Sequence, residues 1–322
     1  LSDSPPDSTV SSPILTSGAP EVISPGAAVS PVTALSPEAA VEQVIVTAKK
    51  QDEDKPPSLL AYPATYLLVG INLLVFGIMF RFSPAVDMIR HHAGLAILTA
   101  PFDPDTLVRF GAMDKQLVLA GQWWRLISST FVHVTILHVL LNMWCLWNLG
   151  LFGEPLLGRR GLIAVYILTG WAGMMLSLAW SVFTRQDALV AGASGAVFGL
   201  AGILIILLSN RKLSLPWNEL RALRRSVLYF AVVNLGIGIL PNLIPGSSSA
   251  QLHRFHLDPS MLPRVSMSAH LGGFFYGLAL GLPLFPRMTS GRQSYRARQR
   301  LVFALAGFAL CLVGYAVGSF AR

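Results

Sequence analysis

Seven intervals of the chain contain no Asp, Glu, Lys or Arg: residues 56–80, 126–153, 161–184, 188–210, 226–253, 265–286 and 301–321. Each is 21 to 28 residues long and mostly apolar. About 20 helical residues cross a hydrocarbon core of roughly 30 Å, so every interval is long enough to span a bilayer. Only 12% of the 322 residues are charged and 53% are hydrophobic, whereas soluble domains carry about a quarter charged residues. A soluble enzyme, a DNA-binding protein and a disulfide scaffold are thereby excluded as main readings. What remains is an all-α, multi-pass integral membrane protein. Its helices are expected near Tyr62–Phe80, His133–Phe152, Gly161–Val182, Ala193–Ser209, Ser226–Ile244, Val265–Phe285 and Leu301–Phe320.

The placement of the remaining charge predicts an orientation. With a cytoplasmic N-terminus and seven spans, the inside loops 153–160, 209–225 and 286–300 carry 12 cations. The short outside loops carry only Arg185, Arg254 and Arg264. This is the asymmetry of the positive-inside rule. The net charge of +8 thus reports topology and contact with anionic lipid, not a nucleic-acid partner. The long outside segment, 81–130, has an apolar patch at Ala93–Ala100, and its pair Trp123–Trp124 beside Arg125 reads as a headgroup-level anchor. Residues 1–57 hold nine prolines, no aromatic residue and 8 of the 16 acids, the composition of a disordered cytoplasmic tail. The sequence opens on Leu1 with its first methionine at Met79, as a fragment or a processed form would. Cys145 and Cys311 lie inside apolar intervals and are expected to be packed free thiols.

Polar side chains are costly in hydrocarbon, so each one inside a span invites a functional reading. They are His133, His138, Asn142 and Asn148 in the second interval, Ser194 in the fourth, Asn234 in the fifth and His270 in the sixth. A lone histidine there is as readily explained by a hydrogen bond to a neighbouring helix. Several at one depth favour chemistry. Ser194 and His270 lie roughly 7–10 Å along their intervals from the same predicted surface, and His138 lies at a similar level. Gly195, Gly199 and Gly202 flank Ser194, and Gly273, Gly277 and Gly281 follow His270. Such small-residue tracks serve helix packing in general. Here they would also bring a hydroxyl and an imidazole into reach, as nucleophile activation requires. No Asp or Glu lies in any interval, which removes a paired-aspartate protease, an acidic proton relay and the acid of a Ser-His-Asp triad. There is no His-Glu-x-x-His, so neither a zinc site nor any other metal or cofactor is expected. His138 and Asn142, at i and i+4, share a helix face and could donate to an oxyanion. The N–H groups at the start of the fourth helix favour negative charge beside Ser194.

At these residues the sequence resembles the rhomboid family of intramembrane serine proteases. Gly192-Ala193-Ser194-Gly195 with Gly199 is similar to the family's nucleophile motif, and Ala269-His270-Leu271-Gly272-Gly273 with Gly277 to its general-base motif. His133, His138 and Asn142 match the second-helix pattern, Trp124-Arg125 the first-loop pair, and Glu154 a structural acid after the second helix. The resemblance covers roughly residues 60–285. It implies Ser194 as nucleophile and His270 as general base. His138, Asn142 and the Ser194 backbone N–H would form the oxyanion hole, with His133 a buttress of the first loop. Phe198 sits where some members carry Tyr and can stack on His270. The implied fold is a rhomboid-like six-helix bundle over 58–285, plus a seventh C-terminal transmembrane helix after a basic loop, within 286–322. The implied substrates are single-span membrane proteins cut near the outer face of the plasma membrane. The alternatives are a catalytically silent relative that escorts membrane clients, and a transporter with His138 and His270 in a proton path.

Overall fold

The computed structural model describes residues 61–83, 96–211, 213, 217–243, 266–287 and 290–321. The expected tail 1–57, the start of the patch Ala93–Ala100 and the side chain of Asn234 lie outside the described residues.

Helix α1 (Pro63–Phe82) has proline in its first turn, where a missing N–H costs nothing. No side chain of its own start caps it. The cap comes from a distant helix. The Glu154 carboxylate accepts from the Ala64 N–H at 3.0 Å, the Thr65 N–H at 2.9 Å and the Thr65 hydroxyl at 2.8 Å. A buried anion is tolerable there because free N–H groups and the positive helix end meet it. Further along α1, Asn72 donates to the Tyr166 hydroxyl at 3.0 Å, and Tyr166 donates to the Thr130 carbonyl at 3.1 Å.

The following loop is ordered over its described part. It forms the short helices α2 (Ala96–Thr99), α3 (Pro104–Arg109), α4 (Lys115–Leu119) and α5 (Arg125–Ser128), with strand β1 (Met113–Asp114) between α3 and α4. Asp103 caps α3 by accepting from the Thr106 N–H and hydroxyl, which holds its carboxyl below the ordinary range. Asp114 caps α4. Arg125 is the buried tie of the loop. Its guanidinium donates to the Val108 carbonyl at 2.6 Å, the Ala112 carbonyl at 3.1 Å and Gln122 Oε1 at 2.7 Å, and lies over the Trp124 ring. Trp124 is exposed, as an interfacial anchor would be. Trp123 is not its equal. It packs against the glycine face of the last helix, near Gly314 and Gly318, where absent side chains leave room for an indole.

Helix α6 (Ile136–Phe183) starts at Thr135, whose hydroxyl accepts from the His138 N–H at 3.0 Å. It is broken at Gly158, with φ 74° and ψ 164°, shortly after Pro155. The break makes two arms that correspond to the second and third expected helices. Strand β2 (Leu189–Val190) then pairs antiparallel with β1, Met113 opposite Val190 and Asp114 opposite Leu189. Helices α7 (Ser194–Leu207), α8 (Trp217–Leu243), α9 (Met267–Leu284) and α10 (Arg292–Phe320) complete the described chain.

Among the described residues four helices, α1, α6, α9 and α10, are long and apolar enough to cross a bilayer. This is an all-α membrane protein with several apolar membrane-spanning helices. Helix α7 is apolar all round and buried along most of its length, as a central helix must be. Its 14 residues rise only about 21 Å. The helix expected over Ala193–Ser209 is found within one or two residues at each end, but the charge-free interval 188–210 is not helical throughout, because β2 and a turn use its first part. Helices α8 and α10 begin well before Ser226 and Leu301. Absence of charge marks the hydrocarbon, and a helix runs on into water. His133 precedes α6 rather than opening it. Cys145 is packed as expected, whereas Cys311 is exposed on α10.

Glu154→Gln keeps one accepting oxygen where two now serve three donors at the start of α1. It is expected to destabilise the fold by about 1–3 kcal/mol, read as a lower thermal unfolding midpoint in detergent.

Candidate active site

The site grows from a contact between backbones. A side chain at Gly273 would strike the Gly195 carbonyl, and one at Gly277 would strike the Gly199 carbonyl. Helices α7 and α9 therefore touch main chain to main chain over two successive turns. The Ala269 carbonyl lies at the meeting point of three helices, 3.2 Å from where a Gly195 Cβ would stand and also against Gly173 of α6. Ser266 caps α9 by accepting from the Ala269 N–H at 3.3 Å, and its hydroxyl lies 2.9 Å from that of Ser177 on α6. His270 thus leaves a carbonyl and a cap that are both locked to neighbouring helices.

Ser194 is the first residue of α7 and is half-buried. Phe198, one turn along, lies on the same face, and its ring stacks on that of His270 with centroids 4.4 Å apart and planes at 25°. The imidazole is therefore held one turn from Ser194. His270 Nδ1 is buried without a hydrogen-bond partner among the described residues. Stacking and packing orient this ring, not a carboxylate.

The turn before Ser194 is shaped by Gly192, at φ +134°, a conformation L side chains rarely adopt. Its N–H donates to the Ser129 carbonyl at 2.9 Å. A Cβ there would lie 2.7 Å from His138 Cε1, 2.9 Å from His138 Nε2 and 3.7 Å from Ser194 Oγ. The missing side chain leaves a small space bordered by the imidazole and the hydroxyl. His133 is fully buried and stands edge-on to His138, centroids 5.2 Å apart. Its Nε2 accepts from the Ala193 N–H at 3.4 Å, so its hydrogen bond goes to the turn before Ser194. Asn142 donates one amide hydrogen to the His138 carbonyl at 3.0 Å, and a second remains on that nitrogen. Sequence reasoning did not single out Ser129, Thr130, Asn72 or Tyr166, which together support this turn. Ser129 and Thr130 looked like ordinary loop hydroxyls. Asn72 is a polar group inside the first interval, and by the cost rule it was visible.

Lys115 and Asp187 flank the β1–β2 pair, with Nζ 3.3 Å from the carboxylate and donating to the Gln186 carbonyl at 2.8 Å. The first loop is thus stitched to the segment leading to Ser194. Asn148 points away from all this, donating to the Trp144 carbonyl of its own helix. Glu154 and Arg125 lie among the supports described above, and their hydrogen bonds go to α1 and the first loop rather than to Ser194. Among the described residues no group of His, Cys, Asp and Glu could hold a metal ion.

Multi-span helices, a short central helix headed by a serine and a histidine stacked one turn away describe a class of membrane protein. The Rhomboid domain family model matches residues 120–287. Rhomboid-like protease 2 of Toxoplasma gondii is 32% identical over 222 residues, 67% of this chain and 68% of that protein. RHOMBOID-like protein 5 of Arabidopsis thaliana is 29% identical over 238 residues, 69% of this chain and 68% of that protein. Rhomboid protease GluP of Bacillus subtilis (strain 168) is 30% identical over 220 residues, 68% of this chain but only 35% of its own length. The chain belongs to the rhomboid family.

Gly273→Val forces a branched side chain into the Gly195 main chain. It is expected to cost about 1–3 kcal/mol or more in thermal stability. Gly77→Val on α1, where nothing lies within 4 Å, should leave the midpoint close to wild type.

Proposed function

We propose that this chain is an intramembrane serine endopeptidase that cleaves single-span membrane proteins by a Ser194–His270 dyad. The observation that carries the reading is the stack of Phe198 on His270, which holds the imidazole one turn from Ser194 across the glycine contact of α7 and α9. Ser194 Oγ attacks the scissile carbonyl carbon, and His270 takes the hydroxyl proton. With Nδ1 sealed in the packing, the accepting nitrogen is Nε2. The C–N bond then breaks, and the amine leaves with the proton from the imidazolium. A water, deprotonated by His270, hydrolyses the acyl-enzyme and regenerates Ser194.

The tetrahedral oxyanion sits in the space that Gly192 leaves open. His138 borders it, Asn142 on the same helix face has an amide hydrogen to spare, and the head of α7 supplies free N–H groups. His133 keeps the turn in place. The short α7 supports a cleft below the membrane surface, because a helix of 14 residues leaves the hydrocarbon unspanned above Ser194. The positive-inside count supports seven spans, a cytoplasmic N-terminus and a cleft open to the outer side of the plasma membrane. The six-plus-one arrangement takes the arms of α6 as two spans and α10 as the added helix. The proposed partners are transmembrane substrates and the surrounding lipid, with neither metal nor cofactor in the chemistry.

A fluorophosphonate probe is expected to label the wild type and not Ser194→Ala. A wild type that stays unlabelled and leaves a panel of transmembrane substrates uncut, while binding them, would overturn the protease reading in favour of a client-escorting role. His270→Ala should abolish turnover while leaving helix content unchanged. His138→Ala should lower kcat on the order of 100-fold by removing one oxyanion donor. Phe198→Ala frees the His270 ring and should lower kcat more than it raises KM, and Phe198→Tyr should restore the stack and the rate.

A further inference from the structure

We infer that the end of the bundle where α10 meets the break in α6 binds the phosphate headgroup of an anionic phospholipid, through Arg159, Arg160, Arg296 and Arg300. The seam is made by Gln299, which is 6% exposed and donates from Nε2 to the Leu157 carbonyl at 2.9 Å. Gly161 faces the same amide, since a Cβ there would lie 3.1 Å from Gln299 Nε2. Arg159 and Arg160 lie between these two contact points on α6. Arg296 is one turn before Gln299 on α10, and Arg300 follows it directly. All four are exposed, and among the described residues none has an acidic partner within ion-pair distance. Glu154, one turn before Leu157, is buried and committed to the start of α1.

Depth is an independent indication. Arg160 is the last residue before the charge-free interval 161–184, and Arg300 the last before 301–321. Both therefore stand at the boundary of the hydrocarbon, where phospholipid phosphates lie. Sequence position puts each pair at headgroup level, and the Gln299 seam puts the pairs side by side. Guanidinium groups present paired N–H donors that match phosphate oxygens. A bound headgroup would bridge α6 and α10, so it would hold the last helix to the core. This inference does not depend on any chemistry at Ser194.

The test is thermal unfolding and native mass spectrometry of the full chain in detergent, titrated with phosphatidylglycerol or phosphatidylcholine. Phosphatidylglycerol is expected to stay bound and to raise the unfolding midpoint, and phosphatidylcholine to do neither. Arg159→Gln with Arg160→Gln, or Arg296→Gln with Arg300→Gln, should each weaken phosphatidylglycerol binding at least about tenfold. Arg225→Gln, an exposed cation on α8, should leave it unchanged. Unaltered binding in both double variants overturns the inference. An equal midpoint shift from inorganic phosphate alone would make this a soluble-anion site and also overturn it.

Discussion

Where Gly195 and Gly199 of α7 face Gly273 and Gly277 of α9, two main chains touch with no side chain between them. In hydrocarbon, helices gain little from excluding water, so close packing of this kind is a main source of association. The same contact sets the distance between the first turn of α7 and the first turn of α9. Ser194 and His270 both sit in those turns. A methyl group at Gly273 or Gly277 would strike the main chain of α7 and push the two helices apart. Packing and the proposed chemistry therefore rest on one constraint.

A second constraint is the length of α7. Its fourteen residues rise about 21 Å, short of a bilayer core, and the chain ahead of Ser194 is strand and turn rather than helix. Such backbone survives only where its polar groups are paired within protein. The pairing comes from β1 with β2, from the Ser129 carbonyl to the Gly192 N–H, and from His133 to the Ala193 N–H. The Tyr166 and Asn72 bonds then hold the adjoining Thr130 carbonyl. Buried charges follow the same logic. Glu154 replaces a missing helix cap, and Arg125 collects loop carbonyls. Each is buried where unpaired backbone groups would otherwise be the larger cost.

Much of this was legible in the chain. The intervals without charge fall on α1, the two arms of α6, α7, α9 and α10, and the cost of polar groups in them pointed at His133, His138, Asn142, Ser194 and His270. The expected stacking partner of His270 was also readable, since Phe198 follows Ser194 by one turn. Helix ends were less legible. Charge disappears at the hydrocarbon boundary, whereas α8 and α10 extend beyond it. The fourth interval, 188–210, is long enough to span, yet its helix is only the 14 residues Ser194–Leu207, because the apolar residues at 189–190 are strand, which composition over so short a run does not distinguish. Trp123 and Trp124 are neighbours in sequence with opposite fates, one packed on α10 and one exposed. Only the position of α10 separates them.

The sequence by itself determined the solvent of this protein, the number of intervals able to cross it, and the few polar groups that had to be explained there. Those are properties of composition along a line, and hydrocarbon reads them residue by residue. The tertiary structure decided which of those groups meet. Gly192 opening a space between His138 and Ser194, Glu154 capping a helix far away in the chain, and Gln299 joining α10 to the break at Gly158 are contacts between distant segments. Their physical reason is close packing, which selects one mutual arrangement of helices from many that the same apolar faces would allow.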